Sequence, residues 1–69
     1  MSDTRRTGTV TDFDFVVGLG HLSTVDGETR LFHCVEIADG TRDIAVGSRV
    51  SFLPVTRFGH LEAADLRVV

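Results

Sequence analysis

Apolar positions recur along this chain in short alternating runs, with glycine turns between them. Thr9-Val10-Thr11-Asp12-Phe13 alternates polar and apolar residues, the period of a half-buried strand. Gly18 to Leu22 predicts a second strand, whose glycines permit a bend or a close backbone approach. Asp26-Gly27 suits a hairpin turn into a third strand, Arg30 to His33. Cys34 to Ala38 reads as a turn or a single helical turn, and Asp39 to Asp43 as a polar loop. Val46 to Val55 is the clearest strand, with Val46, Val50, Phe52 and Pro54 on one face; Pro54 lacks an amide donor and ends it or puts it at an edge. After a loop over Arg57 to Gly59, Leu61 to Val69 predicts the last strand. Leu61, Ala63, Asp65, Arg67 and Val69 share one face there, and Ala64, Leu66 and Val68 the other.

Five short strands without a long amphipathic helix predict an all-β domain, a small barrel or sandwich. Closure removes exposed sheet edges. Periodicity alone does not separate an SH3-like barrel from an OB-type barrel. Residues 1–7 are expected to be a flexible leading segment and 8–69 the domain.

Sixty-nine residues allow one small core. Cys34 is the lone cysteine, which excludes a disulfide framework. No apolar run approaches the ~20 residues of a membrane helix, and nothing after Met1 resembles a signal peptide, so the expected setting is the cytoplasm, with no membrane partner. The net charge of −3 argues against a strongly basic nucleic-acid clamp. All seven cations are arginines, which still pair with phosphate and stack on bases. Cys34 and the three histidines match no metal-ligand spacing, and Gly18-Leu19-Gly20 is followed by no helix, so no metal or cofactor is expected. No catalytic constellation is visible, and the chain is not expected to be an enzyme.

The order of the motifs separates the two barrels. Gly8-Thr9-Val10-Thr11-Asp12-Phe13-Asp14 followed by Gly18-Leu19-Gly20-His21-Leu22 resembles the opening of a bacterial cold-shock domain, Gly-x-Val-Lys-Trp-Phe-Asn and then Lys-Gly-Phe-Gly-Phe-Ile. Arg30 to Ile37 is similar to the family's Val-Phe-Val-His-Phe-Ser-Ala-Ile, Val46 to Phe52 to its Glu-Gly-Gln-x-Val-x-Phe, and Ala63 to Leu66 to its Ala-x-Asn-Val. The resemblance runs from Gly8 to the C-terminus. It implies a five-stranded antiparallel OB-type barrel that binds single-stranded RNA or DNA by stacking bases on aromatics of the second and third strands.

Residue by residue, the resemblance puts Asp12 where the family exposes a tryptophan. Leu19, His21 and Leu31 stand at phenylalanine positions, His33 at the family histidine, and Cys34 at the phenylalanine after it. Val10, Phe13, Leu22, Phe32, Val50, Phe52 and Leu66 keep an apolar character suited to a core. The implied reading is a maintained fold with a rewritten stacking surface. Stacking contributes ~1–3 kcal/mol per base, so binding at least about a hundred-fold weaker than on an aromatic platform is expected. Asp12 and Asp14 repel phosphate. Arg30 and Arg57 are the candidate phosphate contacts at the rim, and Phe58 is the best remaining aromatic for stacking, although a ring folded back on the barrel is the blander and weightier expectation. The alternative is that Leu19, Leu31 and Cys34 form an apolar patch for a protein partner or small ligand and nucleic acid is no longer bound.

Overall fold

The computed structural model describes residues 5–69. Five strands form a closed barrel: β1 (Arg6–Asp14), β2 (Leu19–Thr24), β3 (Thr29–His33), β4 (Arg49–Arg57) and β5 (His60–Val68), with one 3-10 turn, Cys34–Glu36, after β3. Around the barrel the order is β1-β2-β3-β5-β4, and β1 closes the ring by pairing with both β2 and β4. Arg6 and Thr7, expected in the leading segment, belong to β1; residues 1–4 of that segment lie outside the described residues. Val46, expected to start β4, lies in the preceding turn and is exposed.

The barrel is OB-type, but not antiparallel throughout. β3 and β5 run parallel and meet at Leu31 and Glu62, with a further parallel bridge between Ile37 and Leu66. Parity requires this: directions cannot alternate all the way round a ring of five strands, so one neighbouring pair must be parallel.

Val10, Leu22, Phe32, Ile37, Ile44, Val50, Phe52, Ala63 and Leu66 form the core, with Phe13 packed against it. Two β-bulges set which residues point inward. In β1 the register with β2 shifts between Val10 and Asp12. The inserted Thr11 turns Asp12 outward and brings Phe13 in, where its ring stacks on Phe32 at 5.8 Å between centroids. In β5, Asp65 takes a φ of 50° at the second bulge, where Asp65 and Leu66 lie between the Ala64–Leu53 and Arg67–Ser51 pairs. Strict alternation over Leu61 to Val69 therefore fails: Ala63 and Leu66, three residues apart, both face the core.

Arg5 secures the second bulge. Its guanidinium donates to the Ser51 carbonyl at 2.9 Å, to the Asp65 carbonyl at 2.7 Å and to Asp65 Oδ2 at 2.8 Å. These bonds, assisted by Arg67, hold the Asp65 carboxyl below the usual carboxylate range against the opposing effect of desolvation. A carboxyl depressed in the folded state contributes stability above its unfolded value, about 3.9, and that contribution is lost as pH falls through the lower folded value. Arg5→Ala is expected to lower stability by about 2 kcal/mol, since hydrogen bonds to charged groups are the strong ones. It should also weaken the acid dependence of urea midpoints below about pH 5. An unchanged midpoint in the variant would refute the role of Arg5.

Candidate nucleic-acid interface

The closed ring gives β2 and β3 an inner and an outer face. Gly20, Leu22 and Thr24 of β2, and Arg30 and Phe32 of β3, are buried. Leu19, His21, Leu31 and His33 take the alternate positions, half-buried on the outer face. They are paired across the strands, Leu19 with His33 and His21 with Leu31. Two leucines and two imidazoles thus form one contiguous shelf. Because of the β1 bulge, Asp12 stands beside His21 at its edge.

Each histidine of the shelf faces a carboxylate. His21 Nδ1 lies 2.9 Å from Asp12 Oδ1. His33 Nε2 lies 3.7 Å from Glu62 Oε1. Glu62 extends the row from Leu31 across β5 to Val55 of β4. Arg57 closes this end, 3.1 Å from Glu36 and 3.6 Å from Glu62. Its charge is therefore balanced by two acids, which lessens what it offers to a phosphate. Glu36 is held in turn by the Asp65 N–H at 3.2 Å. Sequence reading missed Glu62 and Glu36; the available signal for Glu62 was an acid set among Leu61, Ala63 and Ala64 in a predicted strand.

Two expected site residues, Arg30 and Cys34, are placed differently, and Phe58 departs from the blander expectation of a packed ring. Arg30 is not at the rim. It is on the inner face, 7% exposed, and donates to the Glu62 carbonyl at 2.7 Å, to the Val55 carbonyl at 3.3 Å and to Glu28 at 3.1 Å. Strand alternation puts it there, opposite Leu22 and one residue from Phe32. Cys34 leaves the shelf because the 3-10 turn begins with it. Its side chain packs against the core and against Gly18, where a Cβ would come within 2.9 Å of Sγ.

Phe58 does not fold back on the barrel; it is 99% exposed. Arg57 pairs with His60, leaving Phe58 and Gly59 as a two-residue hairpin loop with φ of 51° and 78°. Positive φ at both loop residues is the pattern of a type I′ turn. That geometry throws the ring outward from the end of β4.

The β1–β2 loop shows a second exposed apolar run. Phe15, Val16 and Val17 project into solvent, while Asp14 Oδ1 accepts from the Val16 and Val17 amides at 3.0 Å each. A shallow groove lined by Ile37, Asp39, Leu66 and Val68 involves none of the expected site residues. Among the described residues, no group of three or more His, Cys, Asp or Glu is arranged to hold a metal ion.

No protein-family model matches the chain, and no curated protein matches it. Among solved structures, it superposes on the cold-shock-domain structure Drosophila Unr CSD456 with a TM-score of 0.83 and 25% identity, over 99% of this chain. The fold is a cold-shock-type OB barrel. The chain spans 28% of that structure's length, so the likeness concerns one barrel. On this cold-shock-type barrel the shelf occupies the second and third strands, the same two strands that the sequence motifs marked.

Proposed function

We propose that this chain is a non-enzymatic module that binds single-stranded RNA or DNA weakly on the outer face of β2 and β3. The observation that carries this reading is the side-by-side placement of Leu19, His21, Leu31 and His33 on one face of a cold-shock-type barrel. Imidazoles stack on bases and leucines offer apolar contact, without the full stacking strength of aromatic rings. The surrounding charge explains the weakness. Asp12, Asp14, Glu36 and Glu62 surround the shelf, and the arginine at its end, Arg57, already faces two of them. Little net attraction for phosphate remains, so sequence-independent backbone affinity is small.

Titration with oligothymidine, followed by amide shifts, is expected to perturb β2 and β3 first. Affinity should fall with added salt, with a shallow slope because few phosphates are engaged. Unchanged shifts at millimolar ligand and low salt would reject the reading.

A second reading is favoured by the exposed Phe15-Val16-Val17 run beside the shelf: the face serves a protein partner or a small ligand and no longer binds nucleic acid. Native mass spectra showing a stable protein complex, lost on altering Leu19 and Leu31, together with no response to oligonucleotides, would select it.

A further inference from the structure

Glu62 is an anomaly in the shelf. It is 5% exposed, and its Oε1 accepts no hydrogen bond. The nearby cations do not satisfy it: Arg57 Nη1 at 3.6 Å and His33 Nε2 at 3.7 Å stand beyond hydrogen-bond length. Arg57 is instead bonded to Glu36 at 3.1 Å, and Arg30 donates to the main-chain carbonyl of Glu62, not to its carboxylate. A buried acceptor without a donor is costly to keep. This one belongs to the outer-face row that runs from His21 through Leu31 to Val55.

We infer that Glu62 is a base-reading residue, whose Oε1 accepts a hydrogen bond from the exocyclic amino group of a base resting on Leu31 and His33. The inference rests on the nucleic-acid reading above and deepens it. The two side chains over Oε1, His33 and Arg57, are each close to half exposed, and turning either aside opens the oxygen to the ligand. A carboxylate only accepts. Cytosine offers it an N4 amino group. Uracil offers O4 at that position, and its one ring donor, N3–H, is flanked by two carbonyl oxygens that repel a carboxylate. The shelf therefore prefers cytosine to uracil, two bases of nearly equal size and stacking area.

The test is a titration of the full chain with short oligo(dC) and oligo(dU) at low salt. The native protein is expected to bind oligo(dC) about tenfold more tightly, within the range of a single base-edge contact. Glu62→Gln should bring the ratio close to one, because an amide either donates to O4 or accepts from N4, while the lost negative charge raises both affinities. Should that variant fold poorly, the native protein supplies a second readout: the Glu62 side-chain carboxyl carbon should shift with oligo(dC) and not with oligo(dU). Equal affinities for the two oligomers, or a preference retained in Glu62→Gln, would overturn the base-reading role alone. Failure of both oligomers to bind would overturn the nucleic-acid reading together with it.

Discussion

Replacing Gly20 with alanine is expected to remove a large part of this domain's stability. A Cβ there would lie 2.6 Å from Phe32 Cζ, 2.8 Å from the Asp12 carbonyl oxygen and 2.9 Å from Phe13 Cδ1. None of these is the free end of a flexible chain. Phe32 is fully buried, and its ring stacks parallel on Phe13 with an interplanar angle of 3°. The glycine is the gap into which the two rings close. Overpacking a filled site costs about 1–3 kcal/mol, and here backbone and core must both yield, so about 3 kcal/mol is expected. A chain of this size holds on the order of 3–10 kcal/mol in total. Gly27→Ala is the informative contrast. Nothing lies within 4 Å of its Cβ position, and only the φ of +88° opposes the change; a loss of about 1 kcal/mol is expected. Urea unfolding of both variants checks the argument, and a Gly20→Ala midpoint equal to or above that of Gly27→Ala would contradict it.

Leu19→Phe combined with Leu31→Phe is expected to strengthen oligonucleotide binding about a hundred-fold. Each added stack contributes ~1–3 kcal/mol, part of which the leucines already provide as apolar contact, and each ~1.4 kcal/mol is tenfold in affinity. Both positions are half-buried on the outer face, so larger rings grow into solvent and leave the core untouched. Stability should change little while affinity changes greatly. Fluorescence or NMR titration with oligothymidine measures it. Binding that stays undetectable in the double variant would mean that the shelf serves another kind of ligand, and would favour the protein-docking reading.

The strands and most of the core were legible in the chain because alternation reports which side of a strand is wet. Val10, Leu22, Phe32, Val50, Phe52 and Leu66 are core residues as expected, and the outward positions of Leu19, His21, Leu31 and His33 follow from the same period. Arg30 misled because arginine is ordinarily a surface residue; strand parity places it inside, and three acceptors there make its burial tolerable. Phe58 misled in the opposite sense, since a two-residue hairpin leaves its apolar ring no surface to cover. Cys34 lay at the junction where strand period stops applying. Residues 5–7 looked like a tail, yet Arg5 bridges Ser51 and Asp65, partners too distant in the chain for any local pattern to reveal.

By itself the sequence determined the number of strands, the hairpin at Asp26-Gly27, the inner face of β2 and β3, and the motif order that resembles a cold-shock domain. These depend on residues close together in the chain. The tertiary structure decided the parallel closure of β3 on β5, the two bulges that put Phe13 on the inner face with Val10 and Ala63 on the inner face with Leu66, and the meeting of His33, Glu36, Arg57 and Glu62. The reason is physical. A strand's period states which face a side chain takes, but which distant strand lies beside it, and with what register, is settled only when the ring closes.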